Sequence, residues 1–281
     1  MDRVTTDADV KTLKVLGASI YYEVRGSGPV LLCIPGGPAD AGVFRKLATD
    51  LRNDYTVVTY DPRGLSHSPL EGSFDDDKAI EINAEDASKL ISAVTKGKAN
   101  VLASSGGAVI SLELAKRHPD QIKTLIPHET PCAVLFHDPA QATAAIIDIT
   151  DTYKTSGLWA AFPKFAAHVG IRQGPQPEQQ GEPTPEQIEG QKMFERNMNF
   201  WFGHTMRAIG LHQPDFETLK KAGIRIVSGV GNESEGEPAN VGGRNLAKKL
   251  GCELVVFAGG HGGFESHATE FAKRLREVLA A

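Results

Sequence analysis

Apolar runs alternate with amphipathic stretches along most of this chain. The apolar runs, which predict buried strands, lie at residues 30–34, 55–60, 101–103, 123–127, 224–230 and 253–258. The stretches with apolar positions at helical spacing lie at residues 41–51, 78–95, 109–117, 242–250 and 269–279. Residues 11–16 and 19–24 predict an antiparallel hairpin before them. This alternation predicts an α/β fold with a mostly parallel central sheet flanked by helices.

A long segment between the strands predicted near residues 125 and 226 interrupts the alternation. Residues 131–214 have a helical pattern and contain both tryptophans and several phenylalanines. Within them, residues 174–183 are too rich in proline, glutamine and glycine to fold on their own. We therefore predict a core domain of residues 1–130 and 215–281 with an inserted helical cap at 131–214. A mobile loop in the cap is expected to gate an apolar pocket. Most aromatic side chains of the cap are expected to hold the cap on the core.

Composition and charge restrict the partners. Hydrophobic residues make up 41% and charged residues 23% of the 281 residues, as in globular proteins. The net charge is −5 and the basic residues are scattered, which argues against nucleic acid and membrane surfaces as partners. There is no apolar run of membrane-spanning length, no signal-peptide pattern, and no disulfide or metal-ligand spacing among the three cysteines. We expect a cytoplasmic monomer or homodimer without cofactor or metal.

Ser105 carries the most informative local pattern. It follows the apolar run at residues 101–103 and precedes the helical pattern at 109–117, and the residues two before and two after it are Ala103 and Gly107. Small residues at these two positions are typical of a nucleophile elbow, a tight strand-to-helix turn that exposes one serine above a sheet. Choosing Ser104 instead would place Leu102 in a crowded position. The pattern therefore selects Ser105 as a nucleophile.

Several other segments match one family in the same order. They are residues 26–38, residues 60–66, the turn at Ser105, and residues 257–264 near the C-terminus. Together they resemble the α/β-hydrolase superfamily over nearly the whole chain outside the cap. The resemblance implies the fold of that family and an active site built on Ser105. The segment at residues 60–66 contains Asp61 and Arg63, which we interpret as residues that tie loops together.

The resemblance also implies a general base. A serine hydroxyl is a weak nucleophile, so a histidine must accept its proton and a carboxylate must hold the imidazole in the right tautomer. His261 occupies the place of the base, after the last predicted strand and between glycines. His267 is a weaker candidate, and His118 is interpreted as a residue at a helix C-terminus.

The carboxylate has two candidate locations. The family usually places an aspartate after the seventh strand, but Ser234 occupies that position here, and its neighbours Glu233 and Glu235 would need a shifted loop. Some members of the superfamily use a glutamate after the sixth strand instead, where this chain has Glu129. We favour Glu129, with Glu233 or Glu235 as the alternative.

The resemblance implies two backbone donors for an oxyanion. Gly106 follows the nucleophile, and Gly37 matches the second donor position of the family. These residues predict a cofactor-independent serine hydrolase that cleaves a small apolar ester, lactone or related acyl compound through an acyl-enzyme. Serine at position 105 argues against dehalogenase and epoxide hydrolase activity, since those relatives use an aspartate nucleophile. Perhydrolysis and carbon–carbon bond hydrolysis stay open.

Two alternatives remain open at this point. One is a ligand receptor that keeps the pocket but turns over slowly or not at all, and the replaced acid at Ser234 is its main support. The other is an enzyme similar to proline iminopeptidases, because residues 35–38 resemble the loop of that family. Such an enzyme needs cap carboxylates for a free amine, and Glu186, Glu189 and Glu195 are available, although a solvated helix face explains them more simply.

Overall fold

The computed structural model describes residues 8–170 and 183–281. In these ranges the chain forms one eight-stranded sheet. Its strands are β1 (Asp9–Val15), β2 (Ala18–Arg25), β3 (Val30–Ile34), β4 (Thr56–Tyr60), β5 (Ala99–Ser104), β6 (Ile122–His128), β7 (Arg225–Gly231) and β8 (Glu253–Phe257). Every strand predicted from the apolar pattern is confirmed.

The strands lie in the order β1-β2-β4-β3-β5-β6-β7-β8. β1 and β2 form the predicted antiparallel hairpin, and β2 also pairs antiparallel with β4. The other neighbours pair in parallel. β3 and β5 are buried along their whole length, as expected for parallel strands covered on both faces. The C-terminal ends of the parallel strands therefore meet at one edge of the sheet, called the carboxyl edge below.

Helices follow most of the strands. In the described residues the α-helices are α1 (Arg45–Leu51), α2 (Ala79–Val94), α3 (Gly106–Arg117), α4 (Pro139–Ser156), α5 (Leu158–Val169), α6 (Pro185–Phe200), α7 (Met206–Leu211), α8 (Phe216–Lys221), α9 (Pro238–Leu250), α10 (Gly263–Ser266) and α11 (Ala268–Ala280). A 3-10 turn at Ala41–Phe44 replaces the start of the helix predicted at residues 41–51. α9 begins earlier than predicted because Pro238 is suited to the first turn of a helix. None of these helices is long and apolar enough to cross a membrane.

Two apolar cores cover the two faces of the sheet. One core packs α2 and α3 against the sheet and includes the buried Leu90 and Leu112. The other packs α1 and α11 against the opposite face and includes Leu47 and Phe271. Burial of apolar side chains on both faces is what stabilises a parallel sheet of this kind. The predicted α/β architecture is confirmed.

An inserted group of helices, α4 to α7, lies between β6 and β7 in the chain. It has an apolar cluster of its own, which includes Ile149, Leu158, Met198, Trp201 and Phe202. α6 runs into a π-helical segment, Trp201–Thr205, before α7 begins. Segments of this type occur frequently at functional sites. The loop predicted to be mobile, residues 174–183, lies outside the described residues except for its last position.

Candidate active site

Ser105 lies in a sharp turn between β5 and α3. Its backbone angles are φ 55° and ψ −124°, a left-handed conformation that is costly for any residue with a side chain. The Ser105 amide donates to the carbonyl of His128 at 2.9 Å. Ser105 is partly exposed, whereas Ser104 and Gly106 are buried. The turn therefore exposes the serine that the spacing of small residues selected.

Glycines make this turn sterically possible. A Cβ atom on Gly107 would lie 2.5 Å from the carbonyl oxygens of both Ile34 and Pro35. A Cβ atom on Gly36 would lie 2.6 Å from the Cβ of Ser105. Contacts this short are not tolerated in a packed interior. The loop after β3 is thus packed directly against the turn that carries the serine.

Two backbone amides meet beside Ser105. The amide nitrogen of Gly37 lies 3.3 Å from the position that a Cβ on Gly106 would take. Gly37 has φ 59°, and its turn is closed by a hydrogen bond of 3.2 Å from the Ala39 amide to the Gly36 carbonyl. Positive φ at this position favours glycine. The structure brings Gly37 and Gly106, the two predicted oxyanion donors, into one small region.

The Glu129 carboxylate is hydrogen-bonded to the His261 imidazole. Glu129 follows β6 and His261 follows β8, so both lie at the carboxyl edge. Glu129 Oε2 is 2.7 Å from His261 Nδ1. The Glu129 side chain is fully buried, whereas that of His261 is 45% exposed. Because Nδ1 faces the carboxylate, Nε2 is the ring atom available for proton exchange with a hydroxyl.

The second carboxylate oxygen of Glu129 is held by three donors. Glu129 Oε1 accepts from the Gly231 amide at 2.9 Å and from Asn240 Nδ2 at 3.3 Å. It also accepts a short hydrogen bond from the Ser234 hydroxyl. Sequence reasoning identified Ser234 as the residue in place of the usual acid but did not foresee that it supports Glu129. Asn240 was missed altogether, since nothing in its neighbourhood marks it.

These contacts control the ionisation of Glu129. Burial by itself would raise the pKa of this carboxyl group. The hydrogen bond from His261, electrostatic attraction from His128 and His261, and the hydrogen bond from Ser234 together outweigh burial, so the pKa of Glu129 is lowered from its ordinary value. The group is therefore a carboxylate at neutral pH, and it is placed to accept a hydrogen bond from His261 Nδ1.

The other candidate residues have different neighbours. Glu233 Oε1 lies 3.5 Å from His267 Nε2, and Glu235 Oε1 lies 3.6 Å from Arg244. His118 Nε2 lies 3.1 Å from Glu85. Over residues 8–170 and 183–281, no group of three or more His, Cys, Asp or Glu side chains could hold a metal ion. The structure thus pairs His261 with Glu129 and engages Glu233 and Glu235 elsewhere.

Residues of the inserted helices lie close to Gly37 and Gly106. Ile209 Cδ1 lies 2.9 Å from the position of a Cβ on Gly106, and Trp201 Cε2 lies 4.0 Å from that of a Cβ on Gly37. Trp201 packs edge-on against Phe165, with ring centroids 4.9 Å apart. Its indole nitrogen is buried and has no hydrogen-bond partner in the part of the chain that the structure describes. Apolar groups from the cap therefore lie directly over the Ser105 turn.

Asp61 and Arg63 tie loops together, as their positions suggested. Asp61 accepts hydrogen bonds from the amides of Ala41 and His67, each at 2.9 Å. Arg63 forms two hydrogen bonds to the buried Asp86 at 2.6 and 2.7 Å. Asp61 therefore joins the loops after β3 and β4, and Arg63 ties the loop after β4 to α2.

His128, which precedes Glu129, is a fully buried histidine in an aromatic cage. Its ring centroid lies 5.8, 6.2 and 5.5 Å from those of Phe257, Phe264 and Phe271. Neither ring nitrogen has a hydrogen-bond partner among the residues of the two described ranges. Burial disfavours the charged imidazolium and lowers the pKa of His128 to about 4.

His128 is expected to make the fold sensitive to mild acid. Its pKa is lower in the folded protein than in the unfolded chain, so the unfolded chain binds the extra proton between pH 6.5 and pH 4. The free energy of unfolding should fall by about 2 kcal/mol between pH 7 and pH 5 from this group alone. His128→Phe should remove that loss, as measured by urea denaturation at the two pH values. His267→Gln, at a partly exposed histidine, should retain it, and an equal loss in H128F would contradict the assignment.

Comparison with known proteins places this arrangement in a family. The α/β-hydrolase fold model matches residues 29–152, which include the glycine-rich loop, Ser105 and Glu129. The chain is 33% identical over 276 residues to the uncharacterized hydrolase YraK of Bacillus subtilis, covering 95% of each chain. It is 23% identical over 269 residues to the zearalenone hydrolase of Bionectria ochroleuca, covering 93% of this chain and 94% of that protein.

A solved structure agrees in fold. The enol-lactonase of Burkholderia xenovorans superposes with a TM-score of 0.71 at 17% identity, over 96% of this chain and 100% of its own. The match to YraK covers nearly the whole length at 33% identity, and the family model covers the region around the strained serine. The chain therefore belongs to the α/β-hydrolase family.

Proposed function

We propose that this protein is a serine hydrolase that cleaves a small apolar carboxylic ester or lactone through an acyl-enzyme. Ser105 is the nucleophile, His261 the general base, and Glu129 the carboxylate that orients His261. The observation that carries the proposal is the 2.7 Å hydrogen bond between Glu129 and His261 at the edge of the sheet where Ser105 is strained and partly exposed. That combination supports activation of a serine hydroxyl.

In the first half of the reaction, Ser105 Oγ attacks the acyl carbon and His261 Nε2 takes its proton. The carbonyl oxygen becomes an oxyanion, and the amides of Gly37 and Gly106 donate hydrogen bonds to it. The intermediate then collapses: the bond between the acyl carbon and the alcohol oxygen breaks, and the imidazolium returns its proton to the leaving alkoxide. An ester between Ser105 and the acyl group remains.

In the second half, water takes the place of the Ser105 hydroxyl. His261 removes a proton from that water as it attacks the acyl carbon, and Ser105 leaves with the proton that His261 held. Glu129 keeps its charge throughout, because its lowered pKa makes the carboxylate a poor proton acceptor. Its role is to hold Nδ1–H and to stabilise the imidazolium in each half.

The surroundings support an uncharged acyl substrate. The cap groups nearest to the Ser105 turn, Ile209 and Trp201, are apolar apart from the indole N–H. Glu186, Glu189 and Glu195, the candidates for binding a free amine, are all exposed on α6. This favours ester cleavage over an aminopeptidase. The enol-lactonase is named for a lactone, which contains the same acyl–oxygen bond as an ester.

Covalent labelling tests the proposal. A fluorophosphonate should label the native protein at one equivalent, and the modified peptide should contain Ser105, because only a hydroxyl activated by its neighbours attacks such a reagent at a useful rate. A p-nitrophenyl ester should be hydrolysed by the same sample, and labelling should abolish that activity. Protein unfolded in urea is the matched control and should take no label. Binding of esters without labelling or turnover would favour a ligand receptor instead.

A further inference from the structure

Asn197 is an unusual residue in the cap helix α6. It is only 4% exposed, whereas positions 194–196 just before it are exposed. A buried amide is costly unless its polar atoms are satisfied, and Asn197 satisfies them with groups of the core domain. A leucine has the same branching and the same number of side-chain heavy atoms without that requirement. The residue at 197 is therefore specified by its hydrogen bonds.

Those hydrogen bonds go to two loops at the carboxyl edge. Asn197 Nδ2 donates to the carbonyl of Pro38 at 3.2 Å and to Ser66 Oγ at 2.8 Å. Asn197 Oδ1 accepts from the Ser66 amide at 2.9 Å. Ser66 Oγ in turn donates to Asp40 Oδ2 at 2.6 Å. One cap side chain thus joins the loop after β3 to the loop after β4.

The Pro38 carbonyl belongs to the turn that carries an oxyanion donor. The turn runs from Gly36 to Ala39, with Gly37 at φ 59°. Two consecutive glycines give this turn wide conformational freedom, so its geometry depends on restraints from outside. On one side, Gly36 is packed against Ser105. Asn197 supplies a restraint at the other end, one residue beyond Gly37.

We propose that Asn197 is a positioning residue that holds the turn from Gly36 to Ala39 in place. The direction of the Gly37 N–H group then depends on how the cap packs on the core. The inference deepens the proposed hydrolase function and rests on it. Asn197 acts through Gly37 and does not touch the reacting atoms. Loss of its hydrogen bonds should weaken binding of the tetrahedral oxyanion more than binding of the ground-state ester.

Two variants with the same number of side-chain heavy atoms as asparagine test the proposal. Asn197→Asp keeps the acceptor for the Ser66 amide but turns a second oxygen toward the Pro38 carbonyl, and Asn197→Leu removes all three bonds. Both should lower kcat for p-nitrophenyl acetate by about 10- to 100-fold, less than or equal to the effect of deleting one oxyanion donor. The rate of phosphonylation and the affinity for a trifluoromethyl ketone should fall by a similar factor. KM and the shape of the pH–rate profile should stay unchanged.

Asn199→Asp is the matched control. It makes the same change two residues along α6, where the side-chain hydrogen bonds go to the Glu195 carbonyl and the Tyr153 hydroxyl, both within the inserted helices. Its kcat should stay within about twofold of the wild type, since Asn199 is only partly buried and its side-chain hydrogen bonds do not reach the turn that carries Gly37. Thermal unfolding of each variant checks that it is folded. If the Asn197 variants do not fold, Ser66→Ala removes the hydroxyl that accepts from Asn197 and donates to Asp40, and it should lower kcat in the same sense.

The outcomes separate this inference from the function it rests on. Wild-type protein that takes no phosphonate and hydrolyses no ester would overturn both. An active wild type with unchanged kcat in N197D and N197L would overturn the positioning role alone. An equal loss of kcat in N199D, or a change in KM alone, would mean that Asn197 only helps to pack the cap. Either result would also overturn the positioning role.

Discussion

Ser105→Ala is expected to lower kcat for an activated ester by about 10⁶-fold, the loss seen when the nucleophile of such a triad is deleted. Without the hydroxyl no acyl-enzyme forms, and the bound ester can react only with water. The amides of Gly37 and Gly106 stay in place, so a residual rate above the uncatalysed reaction should persist. Steady-state kinetics with a p-nitrophenyl ester measures the loss, and mass spectrometry of a fluorophosphonate-treated sample should find no label.

Ser104→Ala is the control for that prediction. Ser104 is the last residue of β5 and is 2% exposed, so it should not reach a substrate. Its alanine variant should keep kcat within about threefold of the wild type. Removal of a buried hydroxyl lowers the stability of the fold more than it changes the geometry of the active site. An inactive S104A variant beside an active S105A variant would show that Ser104, and not Ser105, is the nucleophile.

Glu129→Gln is expected to lower kcat by about 10⁴-fold with the fold intact. If the glutamine oxygen accepts from Gly231 and Ser234, its NH₂ group faces His261 Nδ1. The imidazole must then accept a hydrogen bond at Nδ1, so its proton moves to Nε2. A protonated Nε2 cannot accept the proton of the Ser105 hydroxyl. Ester kinetics measures the loss, and circular dichroism with thermal unfolding confirms that the variant is folded.

Two controls address the alternative acids. Glu233→Gln and Glu235→Gln remove carboxylates that contact His267 and Arg244 instead of His261, and each should leave kcat within about twofold, as for surface changes generally. The opposite ranking, with E129Q active and E233Q or E235Q inactive, would contradict the assignment of Glu129 but leave the serine hydrolase proposal standing.

A relocated carboxylate offers a sharper check. The Ser234 hydroxyl already contacts Glu129, so an aspartate at position 234 would bring a carboxylate into the same pocket. The double variant E129A/S234D should therefore regain at least about tenfold in kcat over E129A alone, since the orienting charge returns even if its geometry is imperfect. No recovery, with both variants folded, would mean that the shape of the Glu129 site matters more than its charge.

The candidate site could be predicted from sequence only in part. Ser105 was identifiable because the turn that strains it needs small residues at fixed, local spacing. Glu129 was favoured over Glu233 and Glu235 mainly through a resemblance, since the local pattern around it shows only where the strand ends. The support from Asn240 and the contact between Asn197 and Pro38 were beyond sequence reasoning, since they join residues 111 and 159 positions apart.

The sequence by itself determined the order of strands and helices, the α/β architecture and the serine that is exposed, because periodicity and steric demands at a tight turn act between near neighbours. Only the tertiary structure decided which carboxylate meets His261, since Glu129 lies 132 residues away and comes into contact through parallel pairing of β6, β7 and β8. It likewise decided which cap residues lie over Ser105. Parallel strands bring their C-terminal ends to one edge, and that edge is where residues distant in sequence form one site.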